Sequence, residues 1–550
     1  MGISRLSFRH PARVPVRRRR LALGLAAVLG LGGLVETSVA NTLTVTTCND
    51  QYDPLNPRAT WLRQQVAAAS SGDTIDLTSL TCSTITLTHG AIPVSVANLE
   101  IDGPTGHTLT IDGNLQDRVF YQTASGGQLL LENLHIMRGA SSGDGGCIFS
   151  DGTVHLFANV TVTGCYAVGA GGGIAAPYVQ TNSSTIADNS GGGILAFGTR
   201  TSTPDAYLQN TTVSGNTGGA GLRGNPAGYL KISTSTIENN TLGSNGTSQC
   251  GGIDASTYTT SLVKLSYSNV VGNNGGTTHT GGICAGAVQL FHATVSGNKG
   301  GVGGIESQST KGSGVLYDFY AQASTIGNNT GYIATAGVNA FSALVNSSTI
   351  SGNQSAGAAG GIGARNLIMT NSTVSGNRGQ GAGGISVLTL AKIYNSTIAF
   401  NADSDAGYNC GAGINGGYIS SSPYSPSYLA NFSIKSTIVA KNVCGNLNAE
   451  SDVTAVNGSM LTASGSLIMA SSMPSSSITA DPQLLPLANN GGSVQTHALD
   501  SHSPALGVGS NPKGLGTDER GYPFQRTWVN GQVDIGAFQT QDRIFYNGFE

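Results

Sequence analysis

STIGNN (324–329), STISGN (348–353), STVSGN (372–377) and STIAFN (396–401) are four consecutive copies of one string, each ending on an Asn 24 residues after the last. The string recurs upstream as STIADN (184–189), TTVSGN (211–216), STIENN (235–240), SNVVGN (268–273) and ATVSGN (293–298), and downstream as the stretched STIVAKN (436–442). TVTGC (161–165) carries Cys165 where an earlier Asn would stand, which makes eleven turns. A glycine pair before a branched residue accompanies most of them, ending at Ile174, Ile194, Ile253, Ile283, Ile305, Ile362 and Ile385. A fixed period with occasional insertions is the mark of a solenoid.

A leucine-rich repeat needs an L-x-x-L-x-L ladder that is missing, and a calcium-binding nonapeptide roll needs Asp after its glycines. The units are instead rich in Ser, Thr, Val, Ile and Gly, which suits pleated strands. At about 3.3 Å per residue, 24 residues would span roughly 79 Å if straight, so the chain must turn and restart above itself. The expected fold is all-β, a parallel β-helix of about 24 residues per coil. The Ile or Val three residues before each Asn is expected to face an aliphatic core. Asn189, Asn216, Asn240, Asn273, Asn298, Asn329, Asn353, Asn377, Asn401 and Asn442 are expected as structural turn residues, tolerating a left-handed backbone and bonding along the stack. The glycine pair is expected to form a second permissive corner.

The 550 residues include 80 Gly and only 10% charged side chains. Seven arginines before an apolar run, Leu21 to Val35, and small residues at Ser38-Val39-Ala40 predict a signal peptide over 1–40, cleaved after Ala40. The mature chain then holds 19 basic and 28 acidic side chains, a net charge of −9, which disfavours nucleic acid as a partner. Its eight cysteines fit an oxidising compartment, and sequential pairing is expected: Cys48 with Cys82, Cys147 with Cys165, Cys250 with Cys284, Cys410 with Cys444. No C-x-x-C or His–Cys cluster speaks for a metal, and no cofactor is expected.

Residues 41–139 read as an N-terminal cap and first rungs, with a short amphipathic helix around Trp61 to Ala69 over the open core. Residues 140–445 hold the repeats. Residues 446–540 form a Gly- and Pro-punctuated closing segment expected to help cap the far end, and 541–550 a tail. The helix with SGDTIDL (71–77), the GGGI and STISGN repeats, and the closing NNGGSVQTHALDSHSPALGVG, TDERGYPF and VDIGAFQ together resemble bacterial exported right-handed parallel β-helix proteins that end in a choice-of-anchor (Q-type) domain. The repeats are also similar to those of chlamydial polymorphic outer-membrane proteins, and DRIFYNGFE (542–550) to a tail on some gammaproteobacterial exported proteins. The resemblance implies a right-handed, pectin-lyase-like solenoid and an exported, surface-associated habit, but no reaction. Too few residues follow Val533 for a membrane barrel of its own.

Parallel β-helices also host pectate lyases and polygalacturonases, so carboxylate pairs and cation sites matter. The acidic residues between Ala140 and Gly445 do not recur at the coil period. Asp403 and Asp405 read as a solvated loop end. His135, Arg138, Asp144, Asp151 and His155 stand at unrelated offsets and read as ordinary surface, so no catalytic or metal-binding residue is assigned. Tyrosines mark the insertions: Tyr207; Tyr258 and Tyr267; Tyr317 and Tyr320; Tyr418, Tyr424 and Tyr428. Of these Tyr207, Tyr258, Tyr317, Tyr320, Tyr424 and Tyr428 are the candidate binding residues, as tips of a lateral ridge suited to sugar rings or protein. The expectation is a monomeric, non-catalytic exported or outer-membrane-surface protein, adhesin-like, contacting polysaccharide or cell-surface glycan or protein. A polysaccharide lyase or hydrolase and an inert structural module are the alternatives.

Overall fold

The computed structural model describes residues 40–541 apart from 57–58, 199–202, 226–227, 244–247, 257–259, 308–316, 405–409, 419–426, 446–448 and 529. The expected leader and tail, with Tyr258, Asp405 and Tyr424, therefore lie outside the described residues. One plain turn runs along Val338–Asn346, bends at Ser347 (φ 44°), continues through Thr349–Ser351, bends again at Gly352 (φ 66°), and passes Asn353 and Gln354–Ser355 before Gly361 begins the next. Every strand in these turns pairs in parallel with its counterpart one turn away, and the result is a parallel β-solenoid. Among the described residues three faces follow: a long sheet, a sheet of fifteen short strands of which eleven bear Thr, and a narrow sheet of two-residue strands.

Fifteen levels, at about 4.8 Å each, give a column roughly 67 Å long. The solenoid thus exceeds the eleven turns legible as repeats. Thr84–Thr86, Leu109–Asp112 and Leu134–Met137 precede them in the same sheet, and Leu467–Ile468 follows. The middle residue of each Thr-sheet strand faces inward, so that Val295, Ile326, Ile350, Val374 and Ile398 stack in register without solvent contact. Each such side chain is worth about 2 kcal/mol in burial. At the base, helix Leu62–Ala68 lays Leu62 and Val66 into the same core, and Arg63 is held against buried Asp50 at 2.8 Å.

The repeated Asn does not occupy the left-handed position. The residue before it does: Asp188, Gly215, Asn239, Gly272, Gly297, Asn328, Gly352, Gly376, Phe400 and Lys441 all have positive φ. With the bend made one residue earlier, each Asn side chain turns inward and is almost wholly buried. Asn353 shows the pattern. Its Nδ2 donates to Ile326 O (3.1 Å) and to Asn377 Oδ1 (2.8 Å), while its Oδ1 accepts from the backbone N and Nδ2 of Asn329 (3.0 and 2.9 Å). Nine such Asn–Asn links run in one direction from Asn189 to Asn442.

Nor is the second glycine of the pair a corner of positive φ: Gly173, Gly193, Gly252, Gly282, Gly304, Gly361 and Gly384 all lie outside that region. It is a place where a side chain will not fit. A Cβ on Gly337, Gly361 or Gly384 would lie 2.3–2.6 Å from a backbone carbonyl of the next turn and 3.0–3.2 Å from an Asn Nδ2 of the ladder. The Asn and Gly columns are therefore two halves of one packing device.

The ladder ends on buried Asp452, whose Oδ1 accepts from Asn442 Nδ2 (2.7 Å) and N (3.2 Å) and whose Oδ2 accepts from Ala470 N (2.8 Å). Burial outweighs these bonds and pushes its carboxyl up to about 6. The unfolded value is about 3.9, so the folded state holds the extra proton between roughly pH 4 and 6, and stability falls through that window by about 3 kcal/mol as pH rises. Replacing Asp452 by Asn is expected to flatten the slope of melting temperature against pH across that window; an unchanged slope would show that Asp452 does not set it.

The closing segment divides: residues 453–478 lie at the far end of the column, and the residues from about 495 on lie along its flank. Thr349 Oγ1 donates to Gln495 O (2.6 Å), Asn371 Nδ2 to Thr517 O (3.2 Å) and Asn395 Nδ2 to Ser510 O (2.7 Å), and Ala537 N donates to Thr397 Oγ1 (3.0 Å). Fully buried Glu519 receives the hydroxyls of Thr349 and Thr373. The reason is local: outward Thr and Ser side chains on this sheet offer hydroxyls that the segment can satisfy. The far end is closed by Val453–Ala455, Met460–Ser464 and residues 469–478, with Met473 against the core and Ile478 bridged to Leu467. The four disulfides join Cys48–Cys82, Cys147–Cys165, Cys250–Cys284 and Cys410–Cys444, with Cα atoms 5.4–6.4 Å apart.

Candidate functional site

Insertions at three levels fall at one corner, between the two strand segments of the long sheet. They fall between Ile194–Ala196 and Ala206–Gln209, between Ile253–Ala255 and Leu262–Ser266, and between Ile305–Ser307 and Phe319–Gln322. In the 24-residue turns the corner vanishes, and single strands Val338–Asn346 and Ile362–Thr370 run through it. The second segment alternates strictly, buried residues inward and half-buried residues outward.

The sequence-predicted tyrosines separate on this frame. Tyr207 and Tyr320 are not loop tips. Each insertion ends before its tyrosine, which enters a strand and stands outward on the long sheet, paired in register with Gln180 and Lys231, and with Gln289 and Leu344. Tyr317 is half-buried just before that strand. Tyr428 stays in its insertion, bridged to Tyr418 and covered by Arg365 at 4.9 Å from the ring centroid. Tyr267 stands at a left-handed corner, stacked on His292 at 4.8 Å. The expected ridge of tips is therefore replaced by a stripe on the sheet.

That stripe includes residues the repeat pattern did not single out. Tyr178 O–H donates to Gln180 Oε1 (3.0 Å), and Tyr320 O–H to Gln322 Oε1 (2.8 Å); Tyr207 and Gln209 stand in the same relation at 3.5 Å. Each pair is a Y-x-Q string opening a strand after a turn, a signal visible in the sequence. His155 lies edge-on to Tyr178 at 5.6 Å and near Phe157 at 5.9 Å. Lys231 sits over the Tyr207 ring at 4.3 Å, Lys264 over Phe291 at 5.0 Å, and Phe291 meets Tyr320 at 5.3 Å. Burial lowers the His155 imidazole below its ordinary value, so it is neutral at neutral pH. From His155 to Tyr320 the register covers seven levels, roughly 29 Å, of rings interleaved with amides and ammonium groups.

The first strand segment carries a different column, Arg223, Asp254, Cys284 and Glu306, in register on adjacent levels beside a cavity of about 400 Å³ lined by His279, Thr280 and Glu306. Its carboxylates are committed to the fold. Asp254 accepts from Gln249 N (2.8 Å) and from Ser256 N and Oγ (3.1 and 2.7 Å), and Glu306 accepts from Thr280 Oγ1 (2.6 Å).

Asp403 is no solvated loop end. It is fully buried, and its carboxylate accepts from Gly381 N (2.9 Å) and Gly411 N (3.2 Å). Asp144 likewise accepts from Ala170 N (2.7 Å). His135 and Arg138 belong to the Thr-sheet side and His155 to the long sheet, so that group is not brought together. No group of three or more potential metal ligands occurs among the described residues, and no helix among them is long and apolar enough to cross a membrane.

No protein-family model and no curated protein sequence matches the chain. Among solved structures, the pectate lyase Pel9A is similar over 91% of this chain and 97% of its own, at 13% identity and a TM-score of 0.26. At that score the likeness carries no argument, and the parallel β-solenoid rests on the strand pairing described above.

Proposed function

We propose that the protein is a non-catalytic, exported β-solenoid that contacts glycans through the long-sheet stripe, at the cell surface or outside the cell. The carrying observation is the repeated Y-x-Q geometry with its lysines and rings along the column axis. Rings offer flat apolar faces and the neighbouring amides offer both donors and acceptors, the combination that holds sugar rings and hydroxyls. Stripe residues are half-buried in strands, so little side-chain freedom is lost on binding. The leader-like residues 1–40, the four disulfides and the closing segment's resemblance to choice-of-anchor domains support export and surface association. The closing segment's tight docking on the flank supports a monomer in which it braces the column. The chain works without a cofactor, and nucleic acid is not its partner.

Affinity electrophoresis against soluble polysaccharides tests this reading. The mature chain is expected to be retarded by at least one polymer, and Tyr207→Ala with Tyr320→Ala to weaken that binding about tenfold or more. Equal retardation of both proteins would remove the stripe from the account. In the same mixtures, sustained formation of reducing ends or unsaturated products in proportion to protein would replace binding with catalysis and direct attention to Asp254 and Glu306.

A further inference from the structure

Lys231 and Lys264 are register partners on adjacent strands of the stripe. Their Cα atoms are therefore about 4.8 Å apart, and like charges placed directly opposite across a parallel pair repel. The two side chains relieve this by leaning in opposite directions. Lys231 goes back onto Tyr207 of the preceding level and Lys264 forward onto Phe291 of the following one. The two ammonium groups are thereby directed to opposite sides of the pair. Neither lysine is in a salt bridge among the described residues, although the whole chain has more acidic than basic side chains.

The surroundings sharpen the sign of the site. Two of the three outward columns of this strand segment, those of His155 and Phe157, carry no carboxylate over the eight levels to Leu344 and Asn346, and the two carboxylates in the third, Asp205 and Asp318, are buried. The charge reverses at the N-terminal boundary, where Asp76, Asp102 and Glu132 stack in register just below Phe157. A polyanion laid along the column would thus meet attraction at the middle levels and repulsion below them. The open length between these limits is roughly 34 Å.

We infer that the stripe selects an acidic, uronate-bearing polysaccharide over a neutral one, with a carboxylate of the ligand seated between Lys231 and Lys264 and adjacent sugar rings on Tyr207 and Tyr320. This rests on the glycan-contacting reading of the same face. A carboxylate there would draw the two ammonium groups off their rings and toward each other, exchanging the cation–ring contacts for charge-assisted bonds, which a neutral sugar cannot do. Single-stranded nucleic acid also combines anionic groups with flat rings, but a continuous line of phosphates finds only two cations in eight levels here.

The test is titration calorimetry of the mature chain with alginate, polygalacturonate and hyaluronan, each paired with its own carboxyl-reduced form, and with a single-stranded oligonucleotide. At least one acidic polymer is expected to bind about tenfold or more tighter than its reduced form, and to weaken as salt rises. Lys231→Gln with Lys264→Gln is expected to abolish that preference, bringing the acidic polymer down to the affinity of its reduced form in a chain that still folds. Equal affinity for acidic and reduced forms, or a preference that survives the double substitution, would overturn the inference yet leave a neutral-glycan stripe. Oligonucleotide binding as tight as the best glycan would overturn it as nonspecific polyanion capture. Absence of binding to every acidic, reduced and neutral polymer would overturn the glycan reading itself.

Discussion

Replacing Asn353 by Ala is expected to destabilise the column by about 4 kcal/mol, with the loss concentrated in the levels on either side. The side chain is fully buried and takes part in four hydrogen bonds. Its removal leaves the backbone N–H and one Nδ2 proton of Asn329 without an acceptor and withdraws a donor from Ile326 O. Each buried group left unsatisfied costs about 1–3 kcal/mol, and Asn353 has no contact with solvent. Because each level of a solenoid is stabilised mainly by its neighbours, amide exchange should accelerate first between about residues 325 and 380. Aspartate at 353 should be no better, since it keeps the acceptor but removes the Nδ2 donor and buries a charge. Guanidinium unfolding and exchange mass spectrometry would read both effects; a change below about 1 kcal/mol would show that the ladder is ornamental.

Gly361→Ala should cost about 3 kcal/mol or more, for steric reasons. Its Cβ would stand 2.5 Å from Gly384 O and 3.2 Å from both Asn377 Nδ2 and Val374 Cγ1. The nearest of these atoms is main chain, so relief requires two levels to move apart, stretching the hydrogen bonds that close the turn. Gly376 provides the comparison. It has positive φ (64°) and no atom within 4 Å of a built Cβ, so alanine there costs only the left-handed penalty of about 1–2 kcal/mol. Apparent unfolding midpoints of the two variants should differ in that order, and the reverse order would contradict the packing of Gly against the Asn column.

These contrasts also mark what could be read from residues alone. The coil, its inward Ile and Val and its parallel pairing follow from short-range periodicity, and the sequence displays all three. The division of labour between the Asn and its predecessor was not legible, because Gly-Asn and Asn-Asn both place two permissive residues at the bend. Only the backbone angles separate the residue that turns from the one that bonds. Tyr207 and Tyr320 were found by type but misplaced, since nothing in their composition shows where an insertion ends and a strand begins. The Y-x-Q alternation was the available signal. Lys231 and Lys264 carry no local mark, for their pairing spans an insertion of variable length. The flank position of the closing segment depends on contacts such as Glu519 with Thr349, 170 residues apart, which no periodicity encodes.

The most direct test of the stripe is hydroxyl-radical footprinting of the mature chain, free and saturated with the tightest polysaccharide from the electrophoresis panel. Protection is expected at Tyr178, Tyr207, Phe291 and Tyr320, with no change at Tyr121, Tyr418 or Tyr522. Protection confined to those three, or around His279 and Glu306, with the stripe still oxidised at its free rate, would contradict the account.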